Sequence, residues 1–174
     1  MASSEFFSKL QEQIGHEFSA HQQYVAIATY YDTLTMPRMA AVFYEQAIEE
    51  RDHAMMMVQY LLDKDEDVII PALPAPTMGF ADIVEPVQVA LDQEKRVTDQ
   101  INELTRLARE ANDYASDQFM QWFIREQVEE VAKMSDLLAV ATRSKDNYER
   151  LEDWVAREDS GEADDPTAPP IAGA

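Results

Sequence analysis

Apolar residues recur along most of this chain at alternating steps of three and four, the spacing of one face of an α-helix. The pattern predicts four long helices and a short fifth one, over residues 5–34, 38–65, 83–111, 114–143 and 147–157. Asp146, with Glu149 three residues on, resembles a capping box at the start of the fifth helix. The long segments are rich in Ala, Glu, Gln, Leu and Met, which are good helix formers. We therefore expect an all-α fold.

The segment 66–82 interrupts the helical period with three prolines and a glycine. A helix of about 28 residues is roughly 42 Å long, whereas 17 extended residues reach about 56 Å at most. The segment can therefore run the full length of a bundle and start the third helix at the same end as the second. We expect a four-helix bundle with one long crossover connection.

Six polar residues interrupt the apolar stripes at matched positions in the two halves of the chain. The three in the first half recur 77 residues later in the second, as the pairs Glu17 and Glu94, Glu50 and Gln127, His53 and Glu130. Carboxylates that face inward are costly to bury unless they are paired or bound to a metal. Four helices that each direct such a group at one interior point predict a metal site inside the bundle.

Glu50 and His53 form a Glu-x-x-His unit, in which both side chains project from the same helix face. One carboxylate and one imidazole can hold a single ion, and the second carboxylate oxygen can bridge to another. Oxygen ligands with little nitrogen and no sulfur favour iron or manganese over copper. The same unit is typical of di-iron proteins built on four-helix bundles.

Length and charge narrow the class of protein. The 174 residues fit one domain, which we place at 1–157. The net charge of −20 disfavours nucleic acid and attracts cations. Without cysteine there is no disulfide or thiolate metal site, and without a signal sequence or membrane-length apolar run we expect a cytoplasmic protein. Residues 158–174, acidic and rich in Pro, Ala and Gly, predict a disordered tail.

Across about residues 5–157 the chain resembles a bacterial non-haem ferritin. The residues that carry the resemblance are Glu17, Tyr24, Glu49-Glu50-Arg51-Asp52-His53, Glu94, Trp122, Glu126-Gln127 and Glu129-Glu130. The resemblance implies a ferritin-like five-helix subunit that assembles into a cage of twenty-four chains. It also implies oxidation of Fe(II), by dioxygen or peroxide, at a di-iron ferroxidase centre, and storage of the ferric mineral inside.

The resemblance assigns a role to each of these side chains. It gives the first iron to Glu17, Glu50 and His53, and the second to Glu94, Glu130 and the bridging Glu50, with Gln127 beside it. A third iron site is implied for Glu49, Glu126, Glu129 and Glu130, whose alternative reading is a solvated acidic face. Tyr24 is implied to supply an electron, the alternative being a tyrosine that only packs in the core.

Departures from related families restrict the subtype. Bacterioferritins carry two Glu-x-x-His motifs and a haem-ligating methionine after the first Glu, where this chain has Arg51, so we expect no haem. His21 is either a partner that orients Glu17 or a hydrogen-bonded core histidine. Asp117 is either part of an iron-uptake pore or a solvated residue at a helix start. Two other functions remain open, a small-oligomer di-iron oxidoreductase or peroxidase and a storage cage with little ferroxidase activity.

Overall fold

The computed structural model describes residues 4–158 and 165–174, in which the helices are α1 (Ser4–Thr33), α2 (Pro37–Asp63), α3 (Glu85–Glu110), α4 (Tyr114–Arg143) and α5 (Tyr148–Glu158). No described residue lies in a strand. The all-α prediction is confirmed, and every predicted helix boundary agrees to within two residues. None of the described helices combines the length and the apolar character needed to span a bilayer.

The four long helices pack as two pairs. A three-residue turn folds α2 back along α1, and a similar short turn folds α4 back along α3. The pairs meet where α1 contacts α3, and α5 packs across the ends of α2 and α4. The result is the predicted four-helix bundle with a short fifth helix, and this helix packs at one end of the bundle.

The long crossover lies along α1. Gln11 accepts a hydrogen bond from the Ile69 amide at 3.0 Å. Gln23 donates to the Thr77 carbonyl oxygen at 3.0 Å and accepts from the Thr77 amide at 2.8 Å. A Cβ at Gly15 would lie 2.9 Å from Pro71, so glycine permits the close approach. Two helix glutamines thus supply hydrogen bonds to an extended segment that has no sheet partner.

The first backbone amides of three helices donate to capping side chains, some nearby in sequence and one far away. Asp113 caps α4 by accepting from the Ser116 amide at 3.2 Å. The predicted Asp146 cap of α5 is wrong by one residue, since Asn147 accepts from the Arg150 amide at 3.0 Å. The first amides of α2 donate to Glu152 of α5, at 2.9 and 2.8 Å. This last cap comes from more than a hundred residues away, so local sequence does not reveal it.

The apolar core is divided into two clusters. One joins the end of α1 to the start of α2 and includes Tyr31 and Phe43, whose rings stack with centroids 5.7 Å apart. The other joins the start of α1 to the end of α2 and includes Phe6 and Leu10. The polar residues that interrupt the stripes lie between the two clusters, at the middle of the bundle.

Residues 165–174 do not follow the prediction of a disordered tail. Asp165 accepts a hydrogen bond from the Trp122 indole at 2.8 Å, the Ala172 amide donates to the Met55 carbonyl at 3.2 Å, and Ile171 packs against the second cluster. Composition missed these contacts because their partners lie on α2 and α4. The predicted tail also included residues 159–164, which lie outside the described residues.

We expect Trp122→Phe to loosen residues 165–174, because it keeps an aromatic ring but removes the donor to Asp165. Loss of this contact should favour local opening of the segment, so exchange at the amides of Thr167, Ala168, Ile171 and Ala172 should accelerate severalfold. Hydrogen exchange followed by mass spectrometry measures this. Trp154→Phe, at a ring packed on the other cluster, is the matched control. Equal exchange in both variants would contradict a role of the Trp122–Asp165 hydrogen bond in holding residues 165–174.

Candidate metal centre

Glu17 of α1 and Glu50 and His53 of α2 converge at the middle of the bundle. Each is almost fully buried, and one ligand atom from each lies within 4.8 Å of the others. His53 Nδ1 lies 3.4 Å from Glu50 Oε2. Among the described residues this is the one group of three acidic or histidine side chains with such spacing. Its donor set, two carboxylates and an imidazole, suits a divalent cation.

Helices α3 and α4 bring the other half of the predicted set. Glu94 accepts a hydrogen bond from Gln127 Nε2 at 3.1 Å, and the same nitrogen approaches Thr98 Oγ1 at 3.3 Å. Glu130 accepts from Gln46 Nε2 at 3.4 Å. All of these carboxylates and amides are buried, but Glu94 and Glu130 do not join the close group of three. Gln127 Nε2 donates to Glu94, so the amide group of Gln127 orients the Glu94 carboxylate.

Burial dominates the electrostatics of the centre. Removal from water, reinforced by repulsion from Glu94 and Glu17, raises the pKa of Glu50 well above its usual range. Desolvation also raises the pKa of Glu94, against the opposing hydrogen bonds from Tyr24 and Gln127. It raises the pKa of Glu130 from 4.5 to about 8. Each carboxyl therefore resists ionisation until a positive charge arrives.

Three buried carboxylate oxygens of the centre, Glu17 Oε2, Glu50 Oε2 and Glu130 Oε2, form no hydrogen bond with any described residue. Glu50 Oε2 has only the contact with His53 Nδ1 at 3.4 Å, which is an ion-pair distance and not a hydrogen bond. A buried acceptor without a donor costs about 1–3 kcal/mol, and more if it is charged. Native interiors seldom keep such atoms without a reason. The unpartnered oxygens and the donor set fit bound cations.

Tyr24 connects the aromatic core to the centre. Its hydroxyl donates to Glu94, and its ring packs against Phe43 with centroids 5.7 Å apart. Burial, together with repulsion from Glu94 and Glu50, raises the pKa of the phenol well above its usual value, so Tyr24 keeps its proton at neutral pH. The structure thus gives Tyr24 both the packing contact and the contact with a centre carboxylate.

A pocket of about 670 Å³ opens beside the centre. It is lined by Glu49, Asp52, His53, Met56, Trp122, Arg125, Glu126, Glu129, Glu130, Lys133, Asp165 and Ala168. His53 Nε2 lies 3.9 Å from Glu126 Oε1, and Glu130 belongs to both the pocket and the centre. The predicted third-site residues Glu49, Glu126 and Glu129 therefore all line this pocket. Their oxygens are not as closely grouped as the ligand atoms of Glu17, Glu50 and His53.

Comparison with known proteins identifies the family of the chain. A family model described as "Ferritin-like domain" matches residues 7–144. The chain is 49% identical over 170 residues to Ferritin BfrB of Mycolicibacterium smegmatis, covering 98% of this chain and 94% of the relative. It is 36% identical over 151 residues to the bacterial non-heme ferritin of Staphylococcus epidermidis strain RP62A, covering 87% and 91%. The chain belongs to the ferritin family.

The fold of this ferritin is similar to that of a solved relative. An open pore ferritin from the hyperthermophilic archaeon Archaeoglobus fulgidus superposes with a TM-score of 0.87, covering 93% of this chain and 100% of that one, at 24% identity. That likeness concerns the fold alone, since the two sequences have diverged widely. It agrees with the predicted five-helix subunit.

His21 and Asp117, for which the sequence left two roles open, form hydrogen bonds away from the centre. His21 Nδ1 lies 2.6 Å from the Ala47 carbonyl oxygen, a contact of a half-buried histidine that links α1 to α2. Asp117 accepts from Arg109 at 3.0 Å and from Gln121 at 2.8 Å. Neither is brought to the centre.

Two glutamines that were not among the predicted site residues contact the carboxylates of the centre and the pocket. Gln13 Nε2 donates to Glu17 Oε1 at 2.9 Å, and Gln46 Nε2 donates to Glu49 and approaches Glu130. Each lies four residues before a predicted ligand, Glu17 or Glu50, and therefore one turn away on the same face. That spacing is the signal that could have identified both.

The metal-free ferritin should lose stability as pH rises from 6 to 8. Because the pKa of Glu130 is raised from 4.5 to about 8, the folded state binds a proton that the unfolded state has lost, and raising the pH removes this stabilisation. Thermal unfolding in chelator should show a steeper loss in the parent protein than in Glu130→Gln. A difference on the order of 1 kcal/mol corresponds to roughly 2–4 °C, and parallel profiles would contradict the raised pKa.

Proposed function

We propose that this ferritin oxidises Fe(II) and stores the ferric product, as a non-haem ferritin. The observation that carries the proposal is the buried group of Glu17, Glu50 and His53, with carboxylate oxygens that lack hydrogen-bond partners. A stable fold without a cation has little reason to keep this arrangement in the middle of its core. The names of the relatives, which are ferritins, support the same function.

In this proposal Glu17, Glu50 and His53 bind one Fe(II), and Glu94, Glu130 and the bridging Glu50 bind a second. Four ionised carboxylates supply about four negative charges, which match two divalent ions. Because the pKa values of Glu50, Glu94 and Glu130 are raised, binding displaces protons and becomes tighter as pH increases. Gln127 restrains Glu94 through its amide hydrogen bond.

Fe(II) is the substrate in this scheme, and each ion loses one electron to dioxygen or peroxide at the paired site. In this proposal Tyr24, whose hydroxyl donates to Glu94, supplies a further electron to the same oxidant. Few nitrogen ligands hold the product, so it can leave for the mineral. The acidic pocket wall of Glu49, Glu126 and Glu129 provides a third iron site next to the centre.

Assembly and subtype form part of the same proposal. We propose a cytoplasmic cage of twenty-four chains that encloses the mineral, in line with the ferritin named among the structural neighbours. One relative, from Mycobacterium tuberculosis strain H37Rv, is named Bacterioferritin BfrB and is 51% identical over 155 residues, covering 89% of this chain and 86% of the relative. Arg51 stands at the haem-ligand position and pairs with Asp52 at 2.7 Å, which supports a haem-free protein.

Glu50→Ala should abolish fast aerobic oxidation of Fe(II) while leaving the assembly intact, because Glu50 contributes to both iron positions. We expect initial rates to fall by at least roughly 10–100-fold. Absorbance of the ferric product in stopped flow measures the rate, and size-exclusion chromatography with iron detection measures the assembly. Glu45→Ala, an exposed glutamate on the same helix, is the matched control.

The same chromatography separates the alternatives. Many iron atoms per chain that co-elute, soluble, with a very large assembly support storage. About two iron atoms per chain on a small oligomer would replace storage with a di-iron oxidoreductase or peroxidase. Unchanged oxidation in Glu50→Ala, with normal mineral loading, would leave a storage cage in which the centre contributes little.

A further inference from the structure

Gln46 lies between the buried centre and the acidic pocket. Its side chain is completely buried on α2. Its amide nitrogen donates to Glu49, which lines the pocket, and lies 3.4 Å from Glu130 Oε1, which belongs to both the pocket and the centre. One amide group, with two N–H donors, thus contacts carboxylates from both sides.

The arrangement carries a cost that packing does not explain. Gln46 Oε1 is buried and accepts no hydrogen bond from any described residue, and an unsatisfied buried acceptor of this kind destabilises the folded state. An apolar side chain of the same length would fill the space without that cost. The two carboxylate contacts are the feature that only a glutamine-like donor provides.

Gln13 offers an internal comparison. It too is buried, lies one turn before a centre glutamate, and donates to Glu17 Oε1 at 2.9 Å. Its second contact, however, is Gln100 at 3.1 Å, which does not line the pocket. The two glutamines therefore support different parts of the centre, Gln13 the Glu17 side and Gln46 the Glu130 side.

We propose that Gln46 is a positioning residue that orients Glu130 and Glu49 together, so that a divalent cation can bind on the pocket side of the centre. The proposal rests on the proposed function, because it concerns metal ions at the same site. The contact with Glu130 Oε1 fixes that carboxylate and leaves Glu130 Oε2, which accepts no hydrogen bond from a described residue, for the cation. The contact with Glu49 holds that side chain on the pocket side. Partners of metal ligands typically change metal affinity by about 10–100-fold when removed.

Gln46→Met tests the proposal in the assembled protein, because methionine is of similar length but has no N–H donor. Crystals of parent and variant are soaked at matched Co(II) concentrations, and anomalous scattering gives the occupancy at each position. We expect the concentration for half-occupancy near Glu130 and Glu49 to rise about tenfold or more, with the Glu17, Glu50 and His53 position unchanged. Gln46→Asn keeps the amide but is one methylene shorter, and it should weaken Co(II) at the same position as Gln46→Met does.

Two further variants separate positioning from general damage. Gln13→Met should weaken Co(II) at the Glu17 position and spare the pocket side, the reverse of Gln46→Met. Gln23→Met removes a buried glutamine whose side-chain hydrogen bonds to described residues go to the Thr77 backbone, and it should leave both positions unchanged. Thermal unfolding in chelator compares the three variants, so that loss of Co(II) can be distinguished from loss of fold.

The outcomes distinguish this inference from the function on which it rests. Equal occupancy beside Glu130 in parent and Gln46→Met would overturn the role of Gln46 and leave the centre intact. Equal losses at every position in Gln46→Met would also overturn it, since the effect would then be general. No Co(II) at any position in the parent would overturn the proposed function and the inference together.

Discussion

The free energy needed to remove carboxyl groups from water is the constraint on which this bundle depends. Glu17, Glu50, Glu94 and Glu130 occupy the middle of an apolar core, each no more than 3% exposed. Such a group is tolerated if it is protonated, hydrogen-bonded or bound to a cation. The structure combines the first two without a hydrogen bond to every oxygen from the described residues, so keeping these carboxyl groups in the core lowers the folding stability of the protein.

The scaffold localises that cost. Two apolar clusters, one containing Phe43 and the other Phe6, lie on either side of the polar layer and hold the four helices in register. The crossover along α1 starts α3 at the end where α2 begins, which places Glu94 and Glu130 opposite Glu17 and Glu50. Rigid helices on both sides keep the carboxylates close despite their repulsion, as a preorganised cation site requires.

The outer approach to the centre is built from parts that are distant in sequence. Trp122 contacts His53, with ring centroids 5.5 Å apart, and also holds Asp165. Residues near the C-terminus therefore form part of the wall of the acidic pocket. Gln46, which does not line the pocket, contacts Glu49 of the pocket wall and Glu130 of the centre. The centre and the pocket are therefore adjacent, and the buried amide of Gln46 contacts carboxylates of both.

Periodicity alone determined the five helices, because one helical face repeats every three or four residues. The recurrence of three polar positions 77 residues later located the polar layer, and these pairs are Glu17 and Glu94, Glu50 and Gln127, His53 and Glu130. The same local rules could not identify the Glu152 cap on α2, the docking of residues 165–174 or the contacts of Gln46. Nor could they show that Glu17, Glu50 and His53 form a closer group than Glu94 and Glu130. Those features depend on distances between helices, which packing of the whole chain sets, whereas the sequence pattern records only which face each residue occupies.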